Sequence, residues 1–268
     1  MRDSGSGGRD ASRGQSEVIG YVLVFSVVLI SLGVVSTFGV TALQEVRDAT
    51  VVDNGEVAME VLSTNTEAVY YGETTGRTTA FSLDSASLET GQQVTIDVRA
   101  GGSSVGSAPW IFRPIVYRGA DAALVYENSA VVREQPDGAV AVTDHLFRYS
   151  PGSTDRAVVP VVLTKAATVQ SVSGGTKRVV TERAGDASVV RSGSPVTVEF
   201  EMTWSGSSLP NRADVWQRSL NEEIPASAVP TGSTACESDT STTDPDIVCE
   251  FETDTLVVSV VEIDYEFE

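Results

Sequence analysis

Apolar residues form one long uninterrupted block near the start of the chain and short alternating runs after it. No charged residue occurs between Val18 and Leu43. A helix that crosses a hydrocarbon layer of roughly 30 Å needs about 20 mostly apolar residues, so this block predicts a transmembrane helix. The block is longer than the roughly 7–15 apolar residues of a secretory signal, and no small-residue cleavage pattern follows it.

A weaker apolar stripe continues the helix beyond the block. Its positions follow the i, i+3, i+4 spacing of one helical face: Leu43, Val46, Thr50, Val57 and Val61. This spacing predicts that residues 15–65 form a membrane-spanning helix that continues as an amphipathic stalk. Asn54-Gly55 is the one place where the sequence favours an interruption of this helix.

Residues 66–268 are predicted to form a β-rich head domain, because the apolar pattern changes to period 2 with Gly, Ser, Asp and Pro between the runs. The principal runs are 79–83, 94–98, 111–117, 158–163, 179–182, 196–204 and 256–267. Many short alternating runs predict a mainly antiparallel, sandwich-like sheet. The expected fold class is therefore α+β, with a long N-terminal transmembrane and stalk helix before the head.

One short helix is expected within the head. Pro210 and Asn211 lie at its start, and Ala213, Trp216 and Leu220 fall on one face. We expect Trp216 to pack this helix onto the sheet. The following segment, residues 225–246, is rich in Ser, Thr, Asp and Pro, which predicts a long exposed loop.

A short, basic, Gly/Ser-rich leader precedes the apolar block. Residues 1–14 carry Arg2, Arg9 and Arg13, whereas the far side of the block opens with a mixture of charges. Because lysine and arginine favour the cytoplasmic side of a membrane, we expect a single-pass protein of the cell membrane. Its N-terminus would be cytoplasmic and its C-terminal domain extracellular.

The junction Arg13-Gly14-Gln15-Ser16-Glu17-Val18-Ile19-Gly20 resembles the class III signal peptide of archaeal type IV pilins and archaellins. The resemblance implies cleavage of the leader by a prepilin peptidase between Gly14 and Gln15, with the apolar helix kept on the mature protein. Glu17 would then either pair with an α-amino group or lie at the level of the lipid headgroups.

The whole chain is also similar to a group of haloarchaeal secreted proteins of unknown activity with pilin-like N-termini. The similarity lies in the opening at 13–20 and in the segments 115–117 and 131–135. This similarity implies a place at the cell surface and no particular reaction. With the pilin-like junction, it leads us to expect a non-enzymatic, pilin-like cell-surface subunit in the lipid bilayer, whose candidate partners are copies of itself or other pilin-like subunits. The alternative is an uncleaved single-span anchor whose β-rich domain is an adhesin or a structural module.

The strong excess of acidic residues fits a protein of a salt-rich environment. Asp and Glu number 37 against 18 Lys and Arg, for a net charge of -19, and Lys165 and Lys177 are the two lysines. Outside the apolar block the acids are scattered along the chain, as expected of a solvated halophilic surface. In molar salt such charges repel each other little, because the Debye length falls to about 3 Å. A binder of cations or basic partners is the other interpretation. Nucleic-acid binding, which needs a basic surface, is not expected.

Candidate chemistry is sparse. Cys236 and Cys249 form either a local disulfide, if this region is extracellular, or two free thiols. Residues 102–106 fit the G-x-S-x-G pattern around Ser104, and His145 follows it. However, another strand rather than a helix is predicted after this pattern, which favours a Gly/Ser turn over a nucleophile.

The acidic residues near the cysteines offer a second candidate. Glu237, Asp239, Asp244 and Asp246 lack the spacing of a calcium loop, which favours a solvated loop. A lone histidine also cannot form a metal site of several imidazoles. The sequence therefore predicts no enzyme activity, no cofactor and no metal.

Overall fold

The computed structural model describes residues 11–119, 121–166, 168, 170–206, 210–230, 234–239 and 246–268. The side chains of residues 11–17, 39–41, 45 and 192–194 lie outside that description. The chain divides into two compact units, Met1–Ala49 and Thr50–Glu268. Most of the first unit is helical, and the second contains the sheets.

One continuous helix, α1, extends over Ala11–Tyr70. Asn54 and Gly55 lie inside it, so the interruption that the sequence favoured at this place does not occur. The helix ends where the chain turns at Gly72, which has a φ of +74°. There the amide of Glu73 donates a hydrogen bond to the carbonyl of Ala68 (2.9 Å).

The described residues of the second unit also contain fifteen strands and a second α-helix. In chain order these elements are β1 Gly76–Ser82, β2 Ser87–Thr90, β3 Val94–Ala100, β4 Ser103–Ser104, β5 Trp110–Phe112, β6 Ile115–Arg118, β7 Ala123–Glu127, β8 Ala130–Gln135, β9 Gly138–Ala141, β10 Arg148–Ser150, β11 Arg156–Ala166, β12 Ser171–Ser173, β13 Thr176–Trp204, α2 Arg212–Glu223, β14 Cys236–Asp239 and β15 Asp246–Phe267. A short 3₁₀-helix, Ala226–Ala228, follows α2.

The strands form two sheets. The larger sheet has the order β10-β11-β15-β13-β3-β4, with β1 also paired to β13, β14 to β15 and β5 to β3. The smaller sheet has the order β12-β2-β6-β7-β8-β9. Apart from the parallel pair β11–β15, the pairs described are antiparallel, and the predicted α+β class is confirmed.

Strand β15 contributes to three hydrophobic clusters, because its buried face changes along its length and its end, at Tyr265 and Phe267, is buried in a further cluster. Val258 and Val260 are buried in the larger core, which includes α2, while Val261 and Ile263 are buried beside Val69 of α1. Successive side chains of a strand point to opposite faces, so the change between Val260 and Val261 lets one strand cover α2 on one face and α1 on the other.

The segment after α2 differs from its prediction as a long exposed loop. Cys236 is fully buried within β14, which pairs antiparallel with β15. The polar composition did not reveal this strand, because alternate residues of an edge strand can face solvent. The helix itself also starts and ends slightly later than predicted, at Arg212 and Glu223.

Candidate functional site

The first half of α1 carries the features of a membrane anchor. Among the described residues, α1 is the one helix that is long and apolar enough to cross a membrane, judged by length and composition. Every side chain from Val18 to Phe38 is exposed, with Tyr21 at 75%. An apolar surface of this extent favours a lipid or protein environment over water.

Two serine hydroxyl groups in this half of the helix are satisfied by the helix itself. Ser26 donates to the carbonyl of Val22 (2.7 Å), and Ser31 donates to that of Val28 (2.9 Å). A polar group in hydrocarbon must find its partner within the protein. These serines are therefore compatible with a lipid environment.

The predicted processing residues lie at the start of α1. The backbone of Arg13, Gly14, Gln15 and Glu17 is helical, and their side chains are outside the described set. Of the predicted leader, residues 1–10 are likewise outside the description. The proposed pairing of Glu17 therefore stays a prediction.

The last part of α1 packs on the sheets of the second unit. Met59, Leu62 and Val69 are fully buried. The hydroxyl of Tyr117 donates to the carbonyl of Val51 (3.0 Å), and the ring of Tyr117 lies directly against Gly55. The same helix thus supplies an exposed apolar segment and a buried part of the head.

A buried carboxylate, which the sequence did not reveal, holds α2 in place. Glu127 has no exposed surface and accepts hydrogen bonds from the indoles of Trp204 (3.3 Å) and Trp216 (2.8 Å). It also accepts one from Nε of Arg212 (2.9 Å), which in turn donates to Glu134 (3.0 Å). The packing role predicted for Trp216 is confirmed.

The electrostatics of this cluster stabilise charged arginine. Burial by itself would lower the pKa of Arg212, but the carboxylates of Glu127 and Glu134 raise it overall. The ring of His145 stacks on Trp216 (5.8 Å between centroids), and burial lowers the pKa of this histidine. Both carboxylate oxygens of Glu127 accept hydrogen bonds from side chains of the head, so the cluster joins α2 to the strands.

The turn beside Glu127 extends this polar centre. Asn128 and Ser129 link β7 to β8 with φ values of +41° and +80°. Asn128 Oδ1 accepts from the amide of Val162 (2.9 Å), and Ser129 Oγ accepts from that of Leu146 (3.0 Å). Asn adopts positive φ more readily than most residues, so Asn128 between two apolar runs is a weak sequence signal for such a turn.

The structure does not give Ser104 the setting of a nucleophile. Strand β3 turns into β4 through Gly101 and Gly102, and Ser104 lies exposed on β4, paired with Arg99. A nucleophile elbow requires a strand that leads directly into a helix. The interpretation of residues 102–106 as a Gly/Ser turn agrees with this geometry.

A cleft of about 500 Å³ lies beside β13 and includes Trp110, Val189, Lys165 and Glu262 in its walls. Lys165 Nζ and Glu262 Oε1 pair with each other at 2.5 Å. Binding sites for small molecules combine an apolar lining with a few convergent polar groups. Here the two charged groups in the walls of the cleft, those of Lys165 and Glu262, face each other.

The two cysteines and the acids near them lie where β14 meets β15. Cys236 and Cys249 are opposite each other in register and are joined by a disulfide with an Sγ–Sγ distance of 2.10 Å. Glu237 and Asp239 lie on β14, Asp246 begins β15, and Asp244 is outside the described residues. Within the described part of the chain, no group of three or more His, Cys, Asp or Glu side chains is arranged to hold a metal ion.

Comparison with known proteins gives one match. The model of a family of unknown function, DUF7289, matches residues 13–266. No curated protein and no solved structure matches the chain. The matched range includes the apolar part of α1 and strands of both sheets.

Proposed function

The protein belongs to DUF7289, a family of unknown function, and we propose that it is a non-enzymatic, type IV pilin-like subunit of a cell surface. The first half of α1 lies in the membrane in this proposal, and the β-rich head is extracellular. The structure has the parts of a single-helix surface anchor, namely one helix apolar enough to cross a membrane and a β domain.

The continuity of α1 is the observation that carries the proposal. Ala11–Tyr70 is a single helix, exposed and apolar over Val18–Phe38 and buried in the head at Met59 and Leu62. A separate anchor could join a head through any flexible linker. A helix that is shared between the membrane and the head is instead what pilins have, and it supports assembly through the helix.

The order of charges around the junction supports processing by a prepilin peptidase. The basic leader ends at Gly14, and the apolar helix begins directly after Glu17. Removal of the leader would delete the charges that hold this end of the helix in water. The helix could then leave the bilayer and pack against identical helices through its small residues.

The test is the N-terminal peptide of the membrane-extracted protein, identified by mass spectrometry after co-expression with a prepilin peptidase. The wild-type chain should begin at Gln15, directly or as pyroglutamate. Gly14→Leu should keep the leader and still insert in the membrane, because the peptidase requires a small residue there. Gly8→Leu, the same change elsewhere in the leader, should be processed as the wild type is.

Three results would contradict the proposal or a part of it. Normal processing of Gly14→Leu would mean that the junction is not the cleavage site. A wild-type chain that begins at Met1 or Arg2 would favour the uncleaved anchor with an adhesin or structural head. Hydrolysis of model esters that is lost in Ser104→Ala would contradict the non-enzymatic part.

A further inference from the structure

The outer face of the larger sheet gathers carboxylates where β14 ends and β15 begins. In the register of the strands, Asp97 of β3 lies opposite Glu201 of β13. Asp246 of β15 lies opposite Asp239 of β14 on one side and Thr203 of β13 on the other. Directly opposed residues point to the same face of a sheet. We call Asp97, Glu201, Asp239 and Asp246 the acidic row.

The acidic row faces away from the larger core. The residues that alternate with it, Ile96, Phe200, Met202 and Ile247, are all buried in that core. Alternation along each strand therefore directs the four carboxylates to the opposite side. On that side they are neighbours in space although they come from four different strands.

Two members of the row have a carboxylate oxygen that is buried and has no hydrogen-bond partner. These atoms are Oδ1 of Asp246 and Oδ1 of Asp97. Asp246 is only 6% exposed, and its side chain is directed at Glu201, to which it is hydrogen-bonded. Leaving a charged oxygen buried without a partner is costly, so Asp246 lacks a positive group. The charge of Arg99 acts on Asp97, Glu199 and Glu201 instead.

The basic residues in the described part of the chain do not supply that group. Arg99 pairs with the other oxygen of Asp97 (2.8 Å) and with Glu199 (2.8 Å). Glu201 accepts a hydrogen bond from the hydroxyl of Thr203 (3.1 Å), and no ion pair to Glu201 or Asp246 occurs among the described residues.

Asp246 and Glu201 place two carboxylates side by side. Burial, the charge of Glu201, a hydrogen bond to Glu201 and the charge of Asp239 raise the pKa of Asp246 to about 6. The geometry is the reason to expect a positive group here, because a carboxylate that is only 6% exposed and has an unpartnered oxygen lies against a second carboxylate.

We propose that Asp246 and Glu201, with Asp97 beside them, bind a hydrated divalent cation of the Mg²⁺ class. Mg²⁺ commonly keeps several water ligands and binds a protein through one or two carboxylates. This coordination suits a row in which no three side chains are arranged to enclose a metal. The unpartnered oxygens of Asp246 and Asp97 would accept from the waters of the ion or bind it directly.

Thermal unfolding of the full-length protein in detergent tests this site. The protein is freed of metal with a chelator and titrated with MgCl₂ against NaCl of equal ionic strength, at about pH 8 and about pH 5. The wild type should unfold at a higher temperature with millimolar Mg²⁺ at the higher pH. The apparent affinity should fall about tenfold at the lower pH, because the proton on a group with a pKa of about 6 competes with the ion.

Variants separate this site from general screening. Asp246→Asn should abolish the Mg²⁺ response and raise the metal-free unfolding temperature, because a neutral amide removes the repulsion. Glu201→Gln should do the same. Glu250→Gln, an exposed acid on the same face of β15, should keep the full response.

Several outcomes would overturn the proposal. One is an equal Mg²⁺ response in the wild type and Asp246→Asn, and another is no response in the wild type at the higher pH. Stabilisation by acid without any response to Mg²⁺ would mean that the pair holds only a proton. If Asp246→Asn fails to fold, the binding of Mg²⁺ is measured by equilibrium dialysis for the wild type and for Glu201→Gln. Binding to Glu201→Gln that equals binding to the wild type would overturn the proposal.

Discussion

Glu127 is a residue that the head cannot easily lose, because a charge without exposed surface depends wholly on its partners. Its strongest partner is Arg212, which is also buried and bridges Glu127 to Glu134. Replacing Arg212 with Met leaves the carboxylate buried without a counter-charge. We expect the free energy of unfolding to fall by about 3–5 kcal/mol, the usual result of breaking a buried pair. Urea unfolding, followed by tryptophan fluorescence, measures it.

An exposed ion pair provides the matched control. Arg118 pairs with Glu89 on β2, and the side chain of Arg118 is 57% exposed. Arg118→Met should change the free energy of unfolding by less than about 1 kcal/mol, because water screens such pairs. Equal losses in the two variants would mean that the Glu127 cluster contributes no more than a surface contact.

The contact between α1 and the smaller sheet depends on the absence of a side chain at Gly55. A Cβ atom at this position would overlap Cε1, Cζ and Cδ1 of the Tyr117 ring. In an exposed helix, Gly→Ala stabilises by about 1 kcal/mol. Here we expect Gly55→Ala to destabilise the head by about 1–3 kcal/mol, because overpacking a filled site forces the ring or the helix to move.

The control is a change to Ala at an exposed position of α1, where we do not expect a loss of stability. Thr64 is exposed on α1, and Thr64→Ala should leave stability unchanged or raise it slightly. Tyr117→Leu should be less damaging in the Gly55→Ala background than in the wild type, which a double-mutant cycle of unfolding measurements reveals. Stabilisation by Gly55→Ala alone would contradict the packing described.

Prediction from sequence succeeded where the signal was local. The apolar block depends only on composition, and period-2 runs such as 94–98 and 196–204 coincide with β3 and the end of β13. The full length of β13 was not predicted, because Gly and Ser interrupt its alternation. The sequence could not decide between a disulfide and two free thiols, because only the pairing of β14 with β15 brings Cys236 beside Cys249.

The polar centre of the head was beyond prediction for a different reason. The donors to Glu127 are Trp204, Trp216 and Arg212, which lie 77 to 89 residues along the chain. No period or spacing joins such residues before the sheets are formed. The acidic row is similar, since four strands in register bring together acids that the sequence scatters.

For the molecule as a whole, the net charge of -19 is the dominant electrostatic fact. Two of the ion pairs in the described residues join side chains that are both exposed, Arg99 with Glu199 and Lys165 with Glu262. These pairs neutralise only part of the acidic charge. The folded head therefore concentrates like charges that the unfolded chain would hold further apart, and this repulsion opposes folding.

Salt should relieve that repulsion, and the full-length protein in detergent is expected to unfold at a higher temperature as NaCl is raised from millimolar to molar concentrations. The reason is the Debye length, which shortens from roughly 30 Å at 0.01 M to about 3 Å at 1 M. Circular dichroism measures the midpoint. At a pH of about 4 the carboxylates are partly protonated, and the dependence on salt should be smaller. If salt acted only by strengthening hydrophobic burial, it would raise the midpoint equally at both pH values. A midpoint that does not change with salt near neutral pH would contradict adaptation to a salt-rich environment.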